Sequence, residues 1–79
     1  MFNVTFITPT SQRVVAVRWL ECETPTGNLV IQQGHAPLIT RLKPYSEVRF
    51  EQERGEMETV EVSGGLAEIR RESALIIVD

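Results

Sequence analysis

Few residues in this chain are equipped for bond-making chemistry. His35 is its single histidine and Cys22 its single cysteine. A zinc centre draws three or four protein ligands, and a metal site in a small β-fold wants several imidazoles, so no metal constellation is visible. Neither a serine nor Cys22 sits in a context resembling a nucleophile elbow. Glu51, Glu53, Glu56 and Glu58 could pair for acid–base work. Their spacing instead brackets a predicted hairpin tip, where solvated charge is ordinary and discourages edge-to-edge pairing. Gly64-Gly65 lacks the G-x-x-x-x-G-K-[ST] frame of a phosphate cradle and reads as a bulge or tight turn. Trp19 fits a recognition anchor and a core residue equally well. The residues predict no catalytic site, no cofactor and no metal. They leave His35 as a loop histidine with a local hydrogen bond.

The elements that must position these groups are short and extended. Phe2, Val4 and Phe6 alternate with Asn3 and Thr5, the period of a half-buried strand. Thr8-Pro9-Thr10-Ser11 stops it, because proline donates nothing to a ladder. A second strand is predicted over Val14–Cys22. The Thr24-Pro25-Thr26-Gly27 turn leads to Leu29–Ile31, and the Gln32–Pro37 loop leads to Leu38–Leu42. Glu47–Glu53 and Met57–Val62 form a hairpin about Arg54-Gly55. Met57 breaks the parity of Val60 and Val62, which requires an exposed Met57 or a bulge. Leu66–Ile69 and Ala74–Val78 make a last hairpin turning near Arg71-Glu72-Ser73. The expected fold is all-β, a small sandwich or flattened barrel spanning residues 1–79 as one domain.

Two runs strain that picture for an isolated chain. Val14-Val15-Ala16-Val17 and Leu75-Ile76-Ile77-Val78 are apolar on both parities. A sandwich strand has one core face and one outer face, so such runs predict a second cover supplied by another chain.

Size and charge narrow the remaining classes. With 79 residues the core must be thin, and a roomy water-excluding active site is not expected. Eight Lys+Arg against eleven Asp+Glu give a net charge of −3, the reverse of a nucleic-acid binder. A lone cysteine excludes an internal disulfide and favours a reducing compartment. No apolar run approaches a membrane span, and Met1–Phe6 lacks the regions of a signal peptide, so the chain reads as soluble and intracellular.

One segment carries more information than its composition. Gly27-Asn28-Leu29-Val30-Ile31-Gln32-Gln33-Gly34-His35-Ala36-Pro37-Leu38-Ile39-Thr40-Arg41-Leu42-Lys43-Pro44 resembles the G-x-L-G-I-x-P-G-H-A-P-L-x-T-x-L-x-P-G stretch of the epsilon subunit of F-type ATP synthases, called delta in mitochondria. Val62-Ser63-Gly64-Gly65-Leu66-Ala67-Glu68-Ile69 is similar to that family's V-S-G-G-F-x-E-V, and Phe6-Ile7-Thr8-Pro9 to its I-V-T-P. The blocks follow the family's order and cover nearly the whole chain.

The resemblance implies a β-sandwich of about ten strands. It also implies a non-catalytic rotor subunit of the central stalk, monomeric within the complex, that couples the gamma subunit to the c-ring. Membrane association would then come only through that complex, on the cytoplasmic face of a bacterial inner membrane or its organellar equivalent. The partner-binding residues it points to are Asn28, Gln32, Gly34, His35, Ala36, Pro37 and Leu38. Asn28 stands where the family usually has an acid, Val30 replaces a glycine, Gln33 a proline, and Val14-Val15 a Ser-Gly pair. Family members often continue into a C-terminal helical hairpin, whereas this sequence stops at Asp79. The alternative expectation is a stand-alone sandwich, either an interaction module or a small enzyme on the same scaffold.

Overall fold

Residues 1–79 are all described by a computed structural model, which contains strands and turns and no helix. Chain order gives β1 (Phe2–Ile7), β2 (Gln12–Thr24), β3 (Gly27–Gln32), β4 (Leu38–Leu42), β5 (Ser46–Gln52), β6 (Met57–Val62), β7 (Gly65–Ile69) and β8 (Ser73–Val78). They join in one curled sheet ordered β4-β7-β8-β1-β2-β5-β6, with β3 also paired to β2. Only the β1–β8 pairing is parallel.

The core follows from alternation. Phe2, Val4 and Phe6 of β1 are buried, and so are Val48 and Phe50 of β5. The Phe6 and Phe50 rings meet across the interior with centroids 5.3 Å apart, tilted by 38°. Sixteen buried apolar residues drawn from all eight strands make one contiguous core. At about 25 cal/mol per Å² of apolar area removed from water, this cluster is the principal stabilising contribution.

The 13-residue β2 does the work of two strands. Its first half pairs with β1 and buries Val15 and Val17. The register on β5 then shifts between Val17 and Trp19, and the inward parity switches to Leu20, Cys22 and Thr24. This bulge turns the strand, so its second half pairs with β3 instead. That continuity corrects the strand number from about ten to eight, while the all-β class and the sandwich-like curl stand.

Two local expectations resolve as well. Met57 is 58% exposed and the β5–β6 register is unbroken, so exposure and not a bulge explains its parity. The doubly apolar runs split by parity. Val15, Val17, Ala74 and Ile76 enter the core, whereas Val14 is 57% exposed and Ile77 38% exposed.

Candidate partner-binding site

The loop between β3 and β4 is held from three directions. The Gly34 N–H donates to the Arg71 carbonyl at 2.8 Å, tying the loop to the β7–β8 turn. Its φ of 83° lies in the left-handed region, where glycine avoids the Cβ clash that penalises other residues. The Gln33 amide donates to Glu72 at 2.9 Å, and its oxygen accepts from the Met1 ammonium. The His35 N–H closes a turn onto the Gln32 carbonyl at 3.1 Å. Pro37 then fixes its own φ and biases Ala36 towards extended geometry, which feeds the chain into β4.

The half-buried His35 ring bonds locally, its Nδ1 standing 2.7 Å from the Ala36 carbonyl oxygen. This is the bond that the residue types predict. The ring sits in an open cleft with Val30, Gln32, Gln33 and Gly34.

The structure divides the sequence-predicted contact residues between two places. Gln32, Gly34 and His35 share the cleft just described, with Ala36 and Pro37 exposed beside it. Asn28 and Leu38 lie in a separate depression with Thr24, Thr26, Gly27, Leu29 and Thr40. They belong to the opposite end of β3, because Asn28 pairs with Glu23 while Gln32 pairs with Trp19.

Asn28 is explained by its neighbours. Its amide donates to Glu21 at 3.2 Å and to Glu23 at 2.9 Å. An acid in its place would lose both amide donations and add a third carboxylate beside Glu21 and Glu23, with Arg49 bonded to Glu21.

A third feature was only partly visible in sequence. The strand registers place Leu66 beside Ile77, Ile77 beside Ile7, and Thr5 between Leu75 and Val14. All of them point away from the core, as does Ile39 at 71% exposure. The result is an apolar patch of Leu66, Leu75, Ile77, Ile7 and Val14 across β7, β8, β1 and the first half of β2, bordered towards β4 by Glu68, which pairs with Ile39, and by Arg41, which pairs with Leu66. Leu66, read in sequence as an ordinary strand residue, belongs to it. Parity counted along each strand relative to its neighbours would have found it.

The residues singled out for chemistry are placed as follows. No cluster of three or more His, Cys, Asp or Glu is arranged to hold a metal. Cys22 is fully buried, and burial first, then Glu23 and Glu21, push its thiol up to about 11. Such a thiol stays protonated and is a poor nucleophile at neutral pH. Of the four predicted carboxylates, Glu53 and Glu56 line one open cleft with Arg13 and Arg54, while Glu51 and Glu58 bond elsewhere. Glu51 accepts from the Trp19 indole at 3.0 Å, and Glu58 is held below the ordinary carboxylate range by its hydrogen bonds with Arg13. An acidic groove of about 640 Å³ does exist beside Tyr45, Glu47 and Glu61. There Arg49 bridges Glu21 at 3.2 Å and Glu47 at 3.0 Å on an open surface.

Residues 1–79 match the family model described as ATP synthase, Delta/Epsilon chain, beta-sandwich domain. Among solved structures, a chain of the Euglena gracilis mitochondrial ATP synthase (OSCP, F1 and c-ring, rotational state 1) superposes with a TM-score of 0.85 at 21% identity. The match covers 98% of this chain and 49% of that one. A chain of the Tetrahymena thermophila mitochondrial ATP synthase central stalk and c-ring superposes with a TM-score of 0.77 at 20% identity, covering 98% of this chain and 62% of that one. This chain therefore spans between about half and three fifths of the length of those relatives.

Proposed function

The chain belongs to the ATP synthase delta/epsilon family, and we propose that it serves as a non-catalytic rotor subunit of the central stalk. In this reading it couples the gamma subunit to the c-ring while ATP is made elsewhere in the assembly. The observation that carries it is the apolar face on β7, β8, β1 and β2. Exposed β-branched and leucine side chains there are contiguous across strands, which a solitary domain has reason to avoid. Gamma covers this face and the cleft at His35. The opposite end of β3, at Asn28 and Leu38, rests on the c-ring. The domain is thereby peripheral to the membrane, on its cytoplasmic side in a bacterium.

A stalk part of this kind transmits force as a rigid body, and the fold suits that task. Each strand is hydrogen-bonded into one continuous sheet, and the loop that reaches outward is bonded to the β7–β8 turn. The test is co-assembly of the complete subunit with purified gamma and c-ring. A stoichiometric complex that survives gel filtration is expected. Separate elution of the subunit at micromolar concentrations would contradict the reading.

A further inference from the structure

We propose that the β1–β8 pair is a mechanical clamp, which holds the domain closed against a pull along its strands and yields to a pull across them. The pair is the one parallel contact in the sheet, running from Asn3 beside Ser73 to Ile7 beside Ile77. The two strands therefore start side by side and point the same way. Force that draws the start of β1 away from the end of β8 slides one strand along the other and strains every ladder bond between them together. Force that draws the two starts apart opens the same pair rung by rung. Each ladder bond makes the same modest net contribution in both cases, so the difference lies in how many must break at once.

Packing adds to the ladder. β1 lies between β8 and β2, and β8 between β7 and β1, so neither is an edge strand. Val4 is registered with Ala74 and Phe6 with Ile76, and all four side chains are buried in the core. Side chains alternate along a strand, so a slip of one residue would turn the buried set of the moving strand to the outer face. Sliding therefore has no small first step. The β5–β6 hairpin offers the contrast, because its end residues Ser46 and Val62 are paired directly and separate first when pulled apart. Such a clamp suits a stalk part that carries torque, yet it follows from strand order and core packing alone and does not require the rotor reading.

Single-molecule unfolding at constant force tests it, with handles attached at exposed positions through Asn3→Cys, Arg71→Cys and Asp79→Cys. Cys22 is buried and does not compete for them. At equal force, unfolding through the Asn3 and Asp79 handles should be at least about tenfold slower than through the Asn3 and Arg71 handles. Two matched core substitutions then locate the barrier. Ile76→Val thins the clamp, whereas Ile31→Val makes the same change in β3, which pairs only with β2. Contacts broken at the barrier pass their full loss into the unfolding rate, and contacts still intact there pass none. Along the strands, Ile76→Val should therefore speed unfolding roughly three- to tenfold, and Ile31→Val should leave it near the wild-type rate. Equal rates in the two pulling directions overturn the clamp, as does an Ile31→Val effect as large as that of Ile76→Val. Neither result bears on gamma binding, so a failed clamp leaves the rotor reading standing, and a subunit that does not bind gamma leaves the clamp standing.

Discussion

Gly65 shows how a single position can be fixed by its neighbours. A Cβ built there would lie 1.9 Å from the Ile77 carbonyl oxygen, at a φ of 138° that side chains rarely adopt. The clashing atom is backbone, so it cannot swing aside. Gly65→Ala should therefore destabilise the domain by several kcal/mol, read as a large drop in the denaturation midpoint. Gly27 has a similar φ of 132° but nothing within 4 Å of the would-be Cβ, so Gly27→Ala should cost only the backbone strain, about 1 kcal/mol. Equal effects of the two substitutions would show that crowding at Gly65 is relieved elsewhere. Asn28→Asp should lower stability by about 0.5–1 kcal/mol at neutral pH, through repulsion from Glu21 and Glu23. That loss should shrink when salt is added.

Cys22 carries a pH dependence whose sign follows from burial. Its folded-state value is raised from 9.0 to about 11, so the native state favours the neutral thiol. The associated stability is complete below the ordinary thiol range and is lost as pH climbs from there through the folded value. It amounts to roughly 2–3 kcal/mol over that window. Thiol-specific reagents should accordingly react only as fast as the chain opens. Rapid labelling of the native protein at pH 8 would contradict the buried placement.

At the scale of elements, the β5–β6 hairpin is tied back to β2. Arg13 makes a two-pronged contact with Glu58, Gln52 donates to the same carboxylate at 2.9 Å, and Arg18 holds the Glu53 carbonyl at 2.9 Å. Because Arg13 depresses the Glu58 value, this contribution is present above the ordinary carboxylate range and is lost as pH falls through the folded value. Both groups are partly exposed, so Arg13→Ala should cost no more than ~1 kcal/mol. The melting temperatures of the variant and the wild type should converge at low pH.

Most elements were legible in sequence because alternation and punctuation agree. Phe2, Val4 and Phe6 declare their face, and Gly55 with Arg54 declares the hairpin tip. The turn of β2 was not legible. Its bulge shifts parity between Val17 and Trp19 without a glycine or proline to announce it, and only the ladder on β5 reveals it. The site was half legible for a related reason. Motif order brings Asn28 and His35 close in sequence, but an extended strand of about 3.3 Å per residue carries them to different ends of β3.

For the whole molecule, alternate side chains along β2 and β8 divide between the core and an uncovered face, which the proposed function assigns to gamma. Val15 and Ile76 belong to the core, while Val14 and Ile77 belong to the uncovered face. The most direct measurement is the affinity of gamma for Val14→Asp, Val15→Asp, Ile76→Asp and Ile77→Asp, with a thermal melt for each. Val14→Asp and Ile77→Asp should melt close to the wild type yet weaken association by several kcal/mol, because the new carboxylate would be desolvated without a partner. Val15→Asp and Ile76→Asp should lose the fold itself. If Val14→Asp and Ile77→Asp bind gamma as the wild type does, the apolar face is not the docking surface and the account fails.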